Sequence, residues 1–113
     1  MTMTTDSKTD RICELNDAFR RTFVGGLIMI TAGVEAMPAE QRKSLLAKVR
    51  AFETFSEDND PHGEHDFGAV DETGVRYFWK IDYFDREMAM GSEDAADPAV
   101  TTRVLTVMLA EEY

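Results

Sequence analysis

The sequence predicts a single small α+β domain: an antiparallel or mixed sheet packed against helices, in the order α-β-α-β-β-(β)-α. Three observations lead there. Residues 9–24 and 38–55 carry apolar side chains at helical spacing, whereas residues 75–84 alternate strictly, and glycine or proline punctuates the chain between them. At 113 residues with 43% apolar composition, such a chain buries about two-thirds of its unfolded surface and needs no disulfide or metal to fold.

Each element has its own signature. Residues 1–8 are polar and threonine-rich and read as a disordered N-terminal arm, leaving residues 9–113 as the domain. From Thr9 or Asp10, the spacing of Ile12, Leu15, Asn16, Phe19 and Phe23 predicts a helix that stops near Gly25 and Gly26; Arg11, Glu14, Asp17, Arg20 and Arg21 take its other faces. Leu27 to Thr31 is a short apolar run, expected as a buried strand. Pro38 suits the first turn of a second helix whose stripe is Leu45, Leu46, Val49, Phe52 and Phe55. Phe67 to Asp71 and Val75 to Phe84 form a hairpin turned at Glu72-Thr73-Gly74. Met88-Ala89-Met90 is expected to add a short edge strand. Asp97 and Pro98 then read as the cap of a last helix, with Val100, Val104, Leu105, Val107, Met108 and Leu109 on its apolar face.

The charge is uneven. Of a net −10, residues 1–50 hold eight Lys/Arg against six Asp/Glu, while residues 51–100 hold three against fourteen, a local charge of −11. Such a field repels phosphates, so direct nucleic-acid binding is disfavoured and a charged partner should be a basic protein or a cation. One cysteine, Cys13, excludes an internal disulfide. With no apolar run near the start long enough for a signal peptide or a membrane span, the expected compartment is the cytoplasm.

Residues 57–68 (Glu57-Asp58-Asn59-Asp60-Pro61-His62-Gly63-Glu64-His65-Asp66-Phe67-Gly68), Phe78-Trp79-Lys80-Ile81-Asp82-Tyr83 and 97–105 (Asp97-Pro98-Ala99-Val100-Thr101-Thr102-Arg103-Val104-Leu105) resemble a small bacterial domain-of-unknown-function family, number three-seven-six-eight. The likeness covers nearly everything after Thr9. It implies a protein often carried on plasmids and integrated elements, and it brings no activity, substrate or site. A tyrosine commonly stands in that family where this chain has His62.

Three constellations could carry chemistry. The first is the loop before Phe67, which holds both histidines and five carboxylates between Ser56 and Asp66. His62, His65 and Asp66 are the candidate ligands for a divalent metal, with Asp58, Asp60 and Glu64 as further oxygen donors. It is not an EF-hand, because Asp58, Asp60, Gly63 and Asp66 fit the template but Ala69 stands where the bidentate Glu belongs. Nor do the histidines have the i, i+4 spacing of a zinc protease. A purely structural role, with Asp58 and Asp60 in Asx turns, explains the same residues. The second is Lys80 and Asp82, which share a strand face near Arg76 and read as a salt bridge rather than a buried lysine nucleophile. Cys13 needs a neighbouring imidazole to act as a nucleophile, and Trp79 and its aromatic neighbours read as sheet core rather than a stacking platform.

The third is the acidic surface itself: Glu57, Asp58, Asp60, Glu64 and Asp66 on one loop, with Asp82, Asp85, Glu87, Glu93, Asp94 and Asp97 around the next. Side by side, these carboxylates would imitate a phosphate track and fill a basic groove. The expected function is therefore binding rather than catalysis: a small acidic module that engages a basic, nucleic-acid-binding defence protein as an anti-restriction or anti-CRISPR inhibitor. No cofactor is required. The alternative is a metal-binding protein or metal-dependent hydrolase built on residues 57–66.

Overall fold

The computed structural model describes residues 7–113; residues 1–6, most of the expected N-terminal arm, lie outside the described residues. Helix α1 spans Ser7–Thr22, starting ahead of the expected cap, and ends where Phe23 and Gly25 take positive φ (60° and 111°). Strand β1 is Gly26–Ile30; expected as a buried strand from its apolar run, it lies instead at a sheet edge, where only Ile28 is partly buried and the other four residues are exposed. A single helical turn that the periodicity did not announce, α2 (Ala32–Glu35), buries Val34 completely. Helix α3 (Ala39–Arg50) begins after Pro38, keeps Glu40 in its first turn and Lys48 and Arg50 in its last, as the helix dipole favours, and buries Leu45 and Val49.

Strands β2 (Phe67–Glu72) and β3 (Val75–Phe84) form the expected antiparallel hairpin, but Glu72, expected in the turn, belongs to the strand and pairs with Val75. The turn is two residues long. Thr73 and Gly74 both have positive φ (50° and 81°), as in the type I′ turns whose twist matches a hairpin.

The final helix is not there. Thr102–Leu109 is strand β4, followed by a 3-10 turn over Ala110–Glu112. It is central in a four-stranded mixed sheet of order β1-β4-β3-β2, parallel to β1 and antiparallel to β3. A strand flanked on both sides and packed on both faces is apolar nearly throughout, and that pattern is what made it resemble a helix. The expected cap at Asp97 does form a local bond, accepting the Ala99 N–H at 2.9 Å, but the turn it closes leads into β4. Met88-Ala89-Met90 is likewise a turn: Met88 sits at φ 60° and the Asp85 carboxylate accepts the Ala89 N–H, leaving one bridge between Phe84 and Gly91.

The core lies on one sheet face. Trp79, Ile81, Leu105 and Val107 meet Phe19 of α1, Val34 of α2 and Leu45 and Val49 of α3 there. Phe52 and Phe55, expected on α3, fall just past its end and close the core edge-on to Trp79, at 5.4 and 6.1 Å between ring centroids. No helix among the described residues is long and apolar enough to cross a membrane.

Candidate functional site

The register places both acidic loops at one end of the sheet. Residues 56–66 enter β2, whose Phe67 faces Lys80 late in β3. Residues 85–101 leave β3 after Phe84 and return as β4, whose Thr102 faces Phe84. The first turns of α1 touch both loops: Lys8 reaches Asp94 at 3.2 Å, and Thr9 borders Gly63.

What fixes the loops is a buried polar network. Asn16 occupies an apolar-stripe position of α1 and is fully buried. Its amide donates to the Glu64 carbonyl (3.0 Å) and to the Tyr83 hydroxyl (2.8 Å), which in turn donates to the Glu64 carboxylate (2.8 Å). The Asn16 oxygen accepts from Arg103 Nε at 2.7 Å. The same guanidinium lies over the Tyr83 ring and donates to the Ala95 carbonyl of the second loop. Asn16 and Arg103 thus tie Glu64 of one acidic loop to Ala95 of the other. Inside the second loop, Thr101 donates to the Asp94 carbonyl (2.7 Å) and Asp94 accepts the Ala96 N–H. Burial pushes the Tyr83 phenol upward and Arg103 downward, the usual response of groups whose charged form loses water.

A second cluster adjoins it. His65 has a left-handed backbone (φ 57°) and its N–H donates to the Asp60 carboxylate at 3.0 Å. Its ring stacks on Phe55, centroids 3.7 Å apart, with Nδ1 2.9 Å from Asp17 and Nε2 3.7 Å from Asp60. Asp17 also accepts from Arg20 at 3.1 Å. Arg20, expected on an outer face of α1, is fully buried between Phe55 and Trp79, 5.5 and 5.3 Å from their ring centres. On the other side of Asp17, Cys13 Sγ lies 3.8 Å from Oδ2, so one ligand atom from each of Cys13, Asp17 and His65 falls within 4.8 Å of the others. The imidazole that Cys13 would need is therefore near, but burial, then Asp17 and Asp60, push the thiol up to about 11, the wrong direction for a nucleophile.

The predicted site residues separate accordingly. Glu57, Asp58, His62, Glu87 and Glu93 are exposed. His62 does not join His65, and Asp66, half-buried, has its carboxyl raised by burial and then by Glu64. Asp60 is buried as a cap for His65, while Asp85, Asp94 and Asp97 cap turns of the second loop. Asp82 pairs with Lys80 at 3.2 Å on the outer sheet face, and Arg76 pairs with Asp71, so neither lysine nor arginine is left for chemistry. Asp17, Arg20 and Arg103 carried no signal that separated them from surface residues, whereas Tyr83 shared the alternating strand face of Trp79 and Ile81. Asn16 carried one too, as a polar side chain in an apolar stripe.

No curated protein and no solved structure matches the chain. Residues 30–112, most of the molecule, match the family described as "Protein of unknown function (DUF3768)", and the chain belongs to that family.

Proposed function

We propose that the loop-bearing end of the sheet is a preorganised acidic surface that binds a basic protein. The observation that carries this reading is the Asn16–Arg103 network, which ties both acidic loops to the same helix and strand. Carboxylates held in place lose little conformational freedom on binding, and their field steers a basic partner toward them. The caps at Asp60, Asp85, Asp94 and Asp97 hold the backbone, while Glu57, Asp58, Glu87 and Glu93 remain exposed to meet the partner. A nucleic-acid-binding protein presents the complementary groove, and a defence nuclease is the partner that a mobile-element protein would have reason to block. Capture of partners from native host extract tests this. Wild type should retain a basic protein that added salt releases, and the combined Glu57→Gln, Asp58→Asn, Glu87→Gln, Glu93→Gln variant should not. Equal retention by that variant defeats the reading.

One observation favours a second reading, the convergence of Cys13, Asp17 and His65. Thiolate, carboxylate and imidazole are the donors zinc prefers, and three protein ligands leave one position for water, the arrangement a hydrolase needs. Arg20 bonds Oδ1 of Asp17, leaving Oδ2 turned to Cys13. A site of this kind replaces the expected set of His62, His65 and Asp66. Stoichiometric zinc that is lost in Cys13→Ser and in His65→Ala, with a melt raised by added zinc, would support it; a ligand at a hundredfold its Kd adds about 2.7 kcal/mol. Metal-free protein with a melt indifferent to zinc and chelator removes it.

A further inference from the structure

The two edges of the sheet are unlike. At the β2 edge, Asp71 is exposed and charged, and Lys48 of α3 donates to its carbonyl at 2.9 Å. Charge and a covering side chain are the usual ways a sheet edge avoids pairing with another chain. The β1 edge has neither. From Thr22 to Val34 the chain carries no charged residue, and β1 has no proline and no lysine. Val24 is 74% exposed, Met29 52%, Leu27 47% and Ile30 37%.

The backbone there has free valence. Thr31 N–H donates to Val107 of β4, so by strand alternation Leu27 and Met29 also turn their backbone groups to β4. Gly26, Ile28 and Ile30 turn theirs outward, and the strand order puts no neighbour beyond them among the described residues.

We infer that this edge pairs with the β1 edge of a second copy, antiparallel about a two-fold axis at Ile28, joining two four-stranded sheets into one. Ile28 then faces its own equivalent and Gly26 faces Ile30, pairs that exchange both backbone hydrogen bonds. Leu27 of one copy lies opposite Met29 of the other, removing both from water.

Charge selects a second copy over a basic partner and antiparallel over parallel pairing. Along these thirteen uncharged residues a basic segment would meet a single carboxylate, that of Glu112, which Thr31, Gly33 and Leu109 already hold. Two chains of net −10 repel each other, but β1 begins at the acidic end of the sheet, Gly26 facing Arg103. Antiparallel pairing turns the two acidic ends away from each other. A five-residue strand spans about 16 Å, roughly two Debye lengths at physiological ionic strength. A contact of one short strand buries less than the ~1,200 Å² of a standard stable interface, so the dimer is a reversible one.

Sedimentation equilibrium on the full chain tests this, read together with amide exchange. Dimer should grow with protein concentration and tighten as salt is added, because salt screens the repulsion; binding of a basic partner at the acidic end would weaken instead. Ile28 and Ile30 amides should become protected as concentration rises, while those of Leu27 and Met29 are protected throughout. Met29→Glu, at an exposed position that leaves the fold intact, should weaken association roughly tenfold or more, since it buries a charge in each half. A monomer at all concentrations, a dimer indifferent to Met29→Glu, or protection of Ile28 and Ile30 only when another protein is added would each overturn the inference.

Discussion

The helix-covered face of the sheet is built in two halves that differ in what holds them. Around Trp79 the interior is carbon apart from one cation, the Arg20 guanidinium 5.3 Å from its ring centre: Phe19, Val34, Leu45, Val49, Ile81, Leu105 and Val107 exclude water by area. Around Tyr83 it is a chain of hydrogen bonds through Asn16, Arg103 and Glu64. Apolar contact has no direction, so the first half fixes that the sheet and helices pack. Hydrogen bonds do have direction, so the second half fixes where two long loops go. The acidic residues are displayed by the second half, and that is the half in which buried hydrogen bonds join the two loops.

Removing the centre of the carbon half should produce the largest effect. Trp79 is fully buried, and Trp79→Ala should cost about 3–5 kcal/mol, a large share of the stability of a domain this size. Chemical denaturation would show the loss as a single cooperative transition moved to lower denaturant. A cost under about 1 kcal/mol would mean that the two halves do not differ as described.

Arg103→Met strikes the other half. It keeps the aliphatic stem but leaves the buried Asn16 oxygen and the Ala95 carbonyl without their donor, a loss of about 2–3 kcal/mol. Its signature is local as well as global. Amide exchange should accelerate in residues 60–66 and 92–97 before the β3 and β4 amides respond. Uniform acceleration across the sheet would show that the network supports the fold as a whole rather than the loops.

The same division explains what could be read in the sequence. The carbon half was legible wherever periodicity was clean: α1 and the β2–β3 hairpin lie within a few residues of their predicted spans, and α3 starts where expected but stops at Arg50, short of the expected Phe55. It failed at β4, because a strand buried on both faces has no alternation, and Asp97-Pro98 imitates a helix cap. The polar half was nearly illegible. His65 and Asp66 are neighbours in sequence, yet His65 turns to Asp17 on α1 and Asp66 does not follow it. That pairing depends on a left-handed residue and on a long loop crossing a helix, neither of which a one-dimensional spacing encodes.

A pH experiment sharpens the contrast. The Asp66 carboxyl is raised above its ordinary value by burial and by Glu64. When the folded pKa exceeds the unfolded one, the ionised carboxylate weakens the fold at neutral pH, and that penalty fades as pH falls through the folded pKa. Asp66→Asn should therefore raise the melting temperature at neutral pH and lose its advantage as the solution is acidified. Glu72, at the other end of β2, has the opposite sign. Its bonds from Lys48 and Ser44 lower the carboxyl, so it contributes stability above its unfolded value of 4.5 and loses it as pH falls below that. Glu72→Gln should then lower the melting temperature at neutral pH and converge on wild type in acid.

The smallest expected effect isolates local backbone from both halves. Thr73 holds φ 50° at the hairpin tip, exposed, with only its hydroxyl bonded to the neighbouring Glu72 carbonyl. A β-branched residue pays for this conformation by crowding its Cβ against the backbone, whereas asparagine adopts it readily and Asn-Gly is the preferred pair for a type I′ turn. Thr73→Asn touches neither the carbon core nor the polar network, so it should stabilise by about 0.5 kcal/mol and leave loop exchange unchanged. If exchange in residues 60–66 slowed as well, the hairpin would be coupled to the acidic end through β2. The two halves would then be one cooperative unit, and the division between them would describe chemistry but not energetics.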